Sequence, residues 1–552
     1  MAASNSSNRA SKEELVAQDI KRLHGMGYAQ ELFRTMGGFS NFAISFTIIS
    51  VLSGCLTLFY TGITTSGFAA GSIGWPLVTV FVVIVALGMA ELASAYPTAG
   101  GLYYWASILG GARWGWFTGW FNLIGQVAVT AGIDYGLAVS IDVLLNAWFP
   151  SFPATLGSVA AIDPATQWTT LLIYAIVLAL HALLNIFGVR IVATLNDVSV
   201  WWHIAGVILI SGGVLIAAFA LQQFAAPGFT THVAAAPVNS VGALFSVDPK
   251  YNATGFPTWY AFLLGLLLAQ YTYTGYDASA HMTEETVDAA RRAPWGVVMS
   301  VVVSAVAGYL LLMGLLAAAP DLVKAAGYIN PVLYILESRT GFLIGTLLFA
   351  VAVGAQFFCG MSSITTNSRM IYAFSRDGAV PYSNIWHKLD HGRTPRNAIV
   401  LSAVAAFILA IPTVFNFAAY VAITSIAVIG LYISYVLPIL LRLLAKEFHP
   451  GPWHLGRWSR PVGIISILWV VFISILFMLP TIQPITVVTF NYTPVVVLGT
   501  LAILTIWWFV SVRHWFKGPQ AQGSAAELHA IEQQVGETVV VDDEFEGIAG
   551  AD

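Results

Sequence analysis

About twelve apolar runs, each long enough to cross a lipid bilayer as an α-helix, recur along the chain and constrain its fold more than any other feature. A membrane-spanning helix needs about 20 predominantly apolar residues. Only 9% of the residues are charged, against about 25% in soluble proteins. The sequence therefore predicts an all-α membrane protein. The expected spans lie at 38–63, 72–96, 114–145, 168–188, 198–221, 259–281, 295–319, 343–374, 397–413, 417–443, 462–480 and 493–514.

The distribution of basic residues supports this layout and sets an orientation. Cytosolic loops of membrane proteins carry an excess of Lys and Arg. With the N-terminus in the cytosol, only Lys250, Lys324 and Arg339 of the 23 Lys and Arg residues fall in outer loops. An error of one span would destroy this bias. Both termini are therefore expected in the cytosol.

Three regions follow from the composition. Residues 1–36 form a polar cytosolic tail with a short amphipathic helix over Glu13–Leu32, residues 37–515 form the membrane domain, and residues 516–552 form an acidic tail expected to be disordered. The N-terminus has no apolar segment of the kind found in cleavable signal peptides. Two cysteines, Cys55 and Cys359, exclude a disulfide framework or a zinc ribbon.

The stretch Leu263–Glu285 does not have the composition of a simple membrane helix. It begins apolar and then carries polar and charged side chains, with Gly275 among them. Polar groups in hydrocarbon are costly unless they find partners, and glycine weakens a helix. We expect a broken helix, one half ending near Thr274 and the next beginning near Asp277, as in secondary transporters. An intact helix with one polar face is the alternative.

Span 1 carries a similar signal. Ser50, Ser53, Gly54 and Thr57 fall where a span should be most apolar, and Ser53 with Gly54 could unwind the helix. Breaks in spans 1 and 6 would fit an inverted repeat of spans 1–5 on spans 6–10, with a binding site between the repeats. Half-helix N-termini would face a carboxylate, and half-helix C-termini an ammonium group or cation. Small residues packing against another helix are the alternative.

Three further runs resemble one transporter family: MAELASAYPTAGGLYYWA at 89–106, GYDASAHMTEET at 275–286 and SSITTNSRMIYAFSRDGAVP at 362–381. Together with span 1, they resemble the amino acid–polyamine–organocation permease superfamily, and within it the amino acid/choline permeases. The resemblance implies a twelve-helix fold with a 5+5 inverted repeat, and proton- or sodium-driven uptake of amino acids or related amines. Many relatives have Gly-Ser-Gly or Gly-x-Gly in span 1, whereas this chain has Leu52, Ser53 and Gly54. A substrate other than an α-amino acid therefore stays open.

Candidate substrate-binding residues follow from the two breaks and from span 3. Asp277 could attract a substrate amine, or it could cap the second half of span 6, as Asp often does. Gln126 could be a ligand or form a simple interhelical hydrogen bond. By resemblance, Tyr271 would cover the substrate from outside, with packing as the alternative. The full set is Ser50, Ser53, Gly54, Gln126, Tyr271, Tyr273, Thr274, Gly275 and Asp277.

Glu91, near the cytosolic end of span 2, lies in a region that forms an inner gate in such permeases. The expected partners are Arg113, Arg369 or Arg376. A carboxylate extending to the membrane interface is the alternative.

His203 is the candidate for coupling transport to protons. It shares one face of span 5 with Asn196 and Ser199. By resemblance, it replaces a lysine that reaches the span 1 break. Histidine can exchange a proton near neutral pH, although a neutral interhelical histidine is the alternative. Ser362 and Ser363, with Thr365 and Thr366, could instead bind sodium, or bond to their own helix.

Metal chemistry is not expected. His281, Glu284 and Glu285 have one ligand-like spacing, but no second pair of suitably spaced ligands appears. No cofactor is predicted beyond a coupling ion, with H⁺ favoured and Na⁺ as the alternative. Asn252 and Asn491 would be glycosylated only in a secretory-pathway host.

These observations favour a plasma-membrane symporter that imports a small amino acid or amine, with γ-aminobutyrate as one candidate. An exchanger, a sodium-coupled symporter and a non-transporting amino acid sensor are the alternatives. The expected partners are the small-molecule substrate and the lipid bilayer. The net charge of −4 argues against nucleic acid, and no obligatory protein partner is evident.

Overall fold

The computed structural model describes residues 11–149, 164–187, 189–220, 238–328, 330–390, 392–415 and 417–535. In these ranges the chain is helical and forms no strand beyond one isolated bridge between Met36 and Thr286. Eleven of the described helices are long and apolar enough to cross a membrane. The remaining predicted span, span 6, is divided into short helices. The all-α fold of about twelve spans is therefore confirmed.

The helices match the predicted runs in order. Spans 1 to 6 are Gly38–Ile49 with Val51–Thr57, Trp75–Ala95, Ala112–Trp148, Pro164–Phe187, Val189–Val207 continued by Gly213–Ala220, and Thr258–Gly265 with Leu267–Thr272 and Ala278–His281. Spans 7 to 12 are Ala289–Ala318, Phe342–Arg376, Arg396–Ala410, Phe417–Leu444, Ser459–Leu476 and Thr493–Trp507. Shorter helices include Phe59–Ser66, Gly101–Gly110 and Pro331–Thr340.

Span 6 is broken close to where the sequence predicts. Its first part ends at Thr272, and Gly275 lies in the left-handed region with φ +97°. The helix resumes at Ala278, with Asp277 at the N-cap position. Gly275 is required here because L-residues with side chains rarely adopt that backbone conformation.

Span 1 is also broken, but three residues earlier than predicted. The interruption is at Ser50, which has φ 35° and ψ 79°, whereas Ser53 and Gly54 are helical. The Ser50 hydroxyl accepts a hydrogen bond from the Ser53 N–H at 3.2 Å. Ser50 therefore restarts the helix immediately, as Ser does at an N-cap. The prediction that Ser53 and Gly54 unwind span 1 is wrong.

Gly54 instead allows the two broken spans to approach each other. A Cβ atom at Gly54 would lie 2.6 Å from Thr272 Oγ1, and one at Gly275 would lie 2.2 Å from Ile48 Cγ2. Near the break, Ser45 donates a hydrogen bond to the Tyr276 carbonyl at 3.0 Å. Spans 1 and 6 thus run antiparallel in close contact through both breaks. For Gly54 the alternative of small-residue packing is the correct one.

Side chains form hydrogen bonds with backbone N–H and C=O groups that have lost their helical partners at the breaks. The Tyr432 hydroxyl donates to the Tyr273 carbonyl at 3.2 Å, and Cys359 Sγ donates to the Ile48 carbonyl at 3.1 Å. The Ser279 N–H donates to Ser45 Oγ at 2.9 Å. These partners matter because unpaired backbone groups in a membrane interior cost several kcal/mol each.

Both tails lie on one face of the helix bundle, here called the tail face. The N-terminal helix spans Lys12–Gly25, and a helix at Ala525–Val535 replaces part of the tail for which composition predicts disorder. The Gln522 N–H donates to the Gly27 carbonyl at 2.8 Å, and His24 Nε2 lies 2.7 Å from Glu532 Oε1. The two tails therefore contact each other directly. Residues 536–552 lie outside the described residues.

The close contact of spans 1 and 6 makes a testable prediction. Gly54→Ala and Gly275→Ala should each destabilise the purified protein by about 1–3 kcal/mol, because overpacking forces neighbours to move. Gly499→Ala is the matched control, since nothing lies within 4 Å of a Cβ atom at that position. Melting temperatures in detergent measure the effect. Equal melting temperatures for all three variants would contradict the contact.

Candidate functional site

A buried carboxylate lies at the break of span 6. Asp277 Oδ1 accepts a hydrogen bond from the Tyr435 hydroxyl at 2.7 Å. Its Oδ2 accepts from Gln126 Nε2 at 2.9 Å and from Asn122 Nδ2 at 3.1 Å. Asp277 forms no side-chain cap with the helix that follows. The interpretation of Asp277 as a side-chain N-cap is therefore wrong, and its negative charge points toward spans 3 and 10.

Three neutral donors and one histidine surround the Asp277 carboxylate. Asn122, Gln126 and Tyr435 supply neutral donors, and His281 Nε2 lies 3.4 Å from Oδ2. All of these side chains are buried. A buried carboxylate attracts a cationic group strongly, since the low dielectric strengthens the attraction. Gln126 is thus brought to the break, as predicted.

Asn122 and Tyr435 were not among the predicted site residues. A signal for Asn122 exists, because it lies one helical turn before Gln126 and so shares its face of span 3. Tyr435 gives no such signal, since one tyrosine in an apolar span is common at packing contacts.

A second polar contact lies at the break of span 1. His203 Nε2 is 2.7 Å from the Ser50 hydroxyl, and His203 Nδ1 is 2.7 Å from the Ser199 carbonyl. His203 is fully buried, and the ring of Phe46 packs edge-on against it with 5.7 Å between centroids. The predicted approach of His203 to span 1 is therefore present, and its contact is the residue at which the helix breaks.

This arrangement suits an imidazole in either protonation state. When neutral, His203 can donate from Nδ1 to Ser199 and accept from the Ser50 hydroxyl. When protonated, both ring nitrogens donate, and the Ser50 oxygen can accept. A change of charge at His203 thus reverses the hydrogen bond to Ser50, the residue that caps the second half of span 1.

The tyrosines before the span 6 break have different surroundings. Tyr271 is buried, and its hydroxyl would lie 2.4 Å from a Cβ atom on Gly132 of span 3. Tyr273 faces span 2 instead, where its hydroxyl is 2.6 Å from Thr79 Oγ1. Thr274 Oγ1 donates to the Tyr271 carbonyl at 2.7 Å. The structure thus places Tyr271 beside span 3 and turns Tyr273 away from it.

The candidate sodium ligands on span 8 bond to other helices. Ser362 Oγ is 2.5 Å from Asn196 Oδ1 of span 5 and 2.8 Å from the Phe358 carbonyl. Ser363 Oγ is 2.6 Å from Thr130 Oγ1 of span 3. The bond from Ser362 to Phe358 is the within-helix alternative considered for these hydroxyls.

Glu91 does not contact any of the arginines expected for it. Its carboxylate accepts from the Ser459 hydroxyl at 2.5 Å and from the Leu455 N–H at 3.2 Å, with Arg442 Nε 3.9 Å away. Those partners belong to the end of span 10, the segment leading to span 11 and the first residue of span 11. The predicted pairing with Arg113, Arg369 or Arg376 is therefore wrong, because those side chains are elsewhere or engaged by other acids.

Two ion pairs close the tail face below the span 6 break. Arg376 forms a two-pronged contact with Glu284 at 3.0 and 3.1 Å, and Arg369 Nε lies 2.9 Å from Glu285 Oε1. The Glu284 carboxylate also accepts from the Ala99 N–H at 3.0 Å. These pairs join the end of span 6 to span 8. In the sequence these two glutamates are notable for their ligand-like spacing with His281, which does not indicate their arginine partners.

The N-terminal segment covers these ion pairs. The guanidinium of Arg376 lies 4.0 Å from the ring centroid of Tyr28, whose hydroxyl donates to Asp377 at 2.8 Å. Burial raises the pKa of Asp377 to about 6. Arg34 donates to the Thr283 carbonyl at 2.9 Å, next to Glu284. On the tail face, two ion pairs and the N-terminal segment therefore cover the end of span 6.

On the opposite face a small pocket lies between the outer part of span 1 and spans 3 and 10. It is lined by Leu58, Tyr60, Gly136, Asn330 and Tyr420, among other residues. The Tyr420 hydroxyl donates to the Gly132 carbonyl at 3.1 Å, beside Tyr271.

Within the described residues, one group of side chains has a metal-ligand arrangement, namely His24, His529 and Glu532. It lies between the two tails, far along the chain from the breaks. Glu284 and Glu285 of the His281 motif are engaged by Arg376 and Arg369.

Comparison with known proteins identifies relatives along most of the chain. Residues 36–503 match the family described as "Amino acid permease". The chain is 41% identical to the amino-acid permease BAT1 of Arabidopsis thaliana and 40% identical to its homolog in Oryza sativa, each over 90% of this chain and 95% of the relative. It is 26% identical to a putative polyamine transporter of Candida albicans, over 94% of this chain and 91% of the relative.

The buried pair of Arg376 and Glu284 generates a prediction. Arg376→Ala should destabilise the protein by about 3–5 kcal/mol, because removing one partner leaves a buried charge uncompensated. Arg376→Met combined with Glu284→Gln should cost less than the single change, since no charge is left unpaired. Melting temperatures in detergent give the comparison, with Lys388→Ala in an exposed loop as the control. A double variant less stable than Arg376→Ala would refute the pairing.

Proposed function

The chain belongs to the amino acid permease family and is an amino acid transporter rather than an enzyme; from this premise we propose that it imports a small amino acid or related amine by proton symport. γ-Aminobutyrate is one candidate substrate. The observation that carries the proposal is the buried Asp277 carboxylate, oriented at the span 6 break by Gln126, Asn122 and Tyr435.

Asp277 supplies the contact for the substrate's ammonium group. A charge-assisted hydrogen bond from an ammonium to a carboxylate is roughly twice as strong as a neutral one. Because Asp277 is a buried carboxylate, an incoming cation would be attracted to its charge. An amine-bearing substrate is therefore favoured over a purely anionic one.

The second half of span 1 supplies the contact for the carboxylate end. Its helix begins at Val51, directly after Ser50. The first N–H groups of a helix have no partner within it and attract anions. An amino acid with its amine toward span 6 and its carboxylate toward span 1 would thus use both breaks. A polyamine, the substrate class in the name of the Candida relative, would use Asp277 but not the span 1 contact.

His203 is the proposed proton carrier. Its contact with Ser50 connects protonation directly to the residue that interrupts span 1. A positive charge on His203 would also strengthen the attraction of this break for a substrate carboxylate. Proton binding and substrate binding would then favour each other, which is the thermodynamic requirement for symport.

Orientation completes the proposal. The tail face is assigned to the cytosol of the plasma membrane because the Lys and Arg residues concentrate in loops on that side. The ion pairs of Arg376 and Arg369 then close the cytosolic exit.

Uptake into proteoliposomes tests the proposed coupling. Wild type should accumulate labelled amino acids or amines when an inward pH gradient is imposed. His203→Ala should lose this accumulation but retain exchange of labelled for unlabelled substrate, because the substrate contacts remain. His454→Ala, in an exposed loop, is the control.

Each alternative gives a distinct result in the same assay. Gradient-independent exchange by wild type would identify an exchanger, and a requirement for sodium would move the coupling site toward Ser362 and Ser363. Substrate binding without any transport would identify a sensor. Accumulation by His203→Ala under a pH gradient would show that the proton travels elsewhere.

The orientation has its own test. Lys250→Cys should react with a membrane-impermeant thiol reagent added to intact cells, and Lys388→Cys should not. Both positions are exposed, while the native Cys55 and Cys359 are buried. Reaction at position 388 in intact cells would reverse the assignment of the two faces.

A further inference from the structure

A group of three metal-ligating side chains joins the two tails on the tail face. His24 lies in the last turn of the N-terminal helix, whereas His529 and Glu532 lie on the helix Ala525–Val535. One ligand atom from each residue lies within 4.8 Å of the other two. No spacing along the chain indicates this group, because His24 and Glu532 are 508 positions apart. The proposed function uses none of the three residues.

Each oxygen of the Glu532 carboxylate faces a different imidazole. Oε1 is 2.7 Å from His24 Nε2, and Oε2 is 3.3 Å from His529 Nδ1. His529 and Glu532 are three residues apart on one helix and are therefore neighbours on its surface. The rings of His24 and His529 are edge-on to each other, with 5.0 Å between centroids. Two imidazoles thus converge on one carboxylate, although the His529 side chain is 63% exposed and has room to point elsewhere.

Backbone hydrogen bonds that need no metal ion hold the two tails together at this place. The Gln522 N–H donates to the Gly27 carbonyl at 2.8 Å, and the Gln30 N–H donates to Glu532 Oε1 at 2.8 Å. The backbone thus fixes Oε1 and leaves Oε2 directed toward His529. Carboxylates that bind metals are commonly oriented by a second hydrogen bond of this kind.

The spacing of these atoms fits a small divalent ion. Zn²⁺ binds imidazole nitrogen and carboxylate oxygen at about 2.0–2.2 Å, so that the ligand atoms of a tetrahedral site lie about 3.3 Å apart. The distances of 2.7 and 3.3 Å and the upper limit of 4.8 Å lie around this value. Small rotations of the side chains therefore suffice. Two imidazoles with one carboxylate suit Zn²⁺ and related transition metals, whereas Mg²⁺ and Ca²⁺ prefer oxygen ligands.

We propose that His24, His529 and Glu532 bind one divalent transition-metal ion of the Zn²⁺ class, and that this ion fastens the C-terminal helix to the N-terminal segment. The ligand atoms are His24 Nε2, His529 Nδ1 and Glu532 Oε2, and a water molecule completes the coordination. His24 is four residues before Tyr28, whose ring lies 4.0 Å from the Arg376 guanidinium. The ion therefore stabilises the segment that covers the ion pairs at the end of span 6.

Calorimetric titration of the purified full chain with Zn²⁺ tests the site, once any histidine-containing tag and any bound metal have been removed. Wild type should bind one Zn²⁺ ion per chain here, and an equal concentration of Mg²⁺ should not compete. His529→Ala and His24→Gln should each weaken binding at least about tenfold, since even an outer-shell partner of a metal is worth about 10–100-fold. Glutamine at position 24 can still donate a hydrogen bond to Glu532. Loss of binding by that variant therefore identifies a metal ligand rather than a hydrogen-bond donor.

His454→Ala and Gln533→Ala are the matched controls. His454 is an exposed histidine outside this group, and Gln533 is exposed on the same C-terminal helix as His529. Both variants should bind Zn²⁺ as wild type does. Equal binding by wild type and His529→Ala would show adventitious binding and overturn the proposal. Full binding by His24→Gln, with loss in His529→Ala, would place the site on the C-terminal helix alone and overturn the bridge between the tails.

Hydrogen–deuterium exchange measures the fastening directly. Zn²⁺ should slow amide exchange in the helix Ala525–Val535 of wild type and of Gln533→Ala, because separation of the tails then requires release of the ion. The same addition should leave exchange in His24→Gln unchanged. Slower exchange in both wild type and His24→Gln, or in neither, would contradict the bridge. None of these measurements involves transport, so they decide on the metal site independently of the proposed function.

Discussion

Two helices can be interrupted inside a membrane only if other groups replace the backbone hydrogen bonds that the interruptions remove, and this requirement organises the structure. Ser50, Ser45, Tyr432 and Cys359 meet it at the breaks of spans 1 and 6. These four residues lie on spans 1, 8 and 10. Several spans therefore stabilise the two breaks. Spans 1 and 6 must also approach each other closely for these hydrogen bonds to form, and Gly54 and Gly275 allow that approach.

The sequence was sufficient for the fold because each span is encoded locally, by the length of its apolar run. The span 6 break was also locally encoded, by polar residues around Gly275. The span 1 break was misplaced because Ser53 and Gly54 look like the weaker point in isolation. Only the contact between Gly54 and Thr272 shows that this glycine serves packing, and that contact joins residues more than 200 positions apart.

Sequence analysis could identify site residues within a single span, but not the contacts between residues on different spans. Asp277 and Gln126 were identifiable as polar residues in spans, but the bond between them requires spans 3 and 6 to be adjacent. The predicted arginine partners of Glu91 were wrong for the same reason, because several arginines near the tail face were equally plausible. A buried contact between Asp134 of span 3 and His181 of span 4, with 3.2 Å between Oδ1 and Nδ1, gives no sequence pattern, because the two residues come together only when the helices pack.

The contact between the two tails has a practical consequence for work with shortened or tagged chains. Gln522 and Glu532 bond to the segment around Gly27 and Gln30, and that segment covers the Arg376–Glu284 pair. A chain cut at residue 516 would therefore lose contacts at the tail face, although every membrane span would be intact. Fluorescent or affinity tags are better attached after residue 535. Correct membrane insertion of a shortened protein does not show that its tail face has the same contacts as in the full chain.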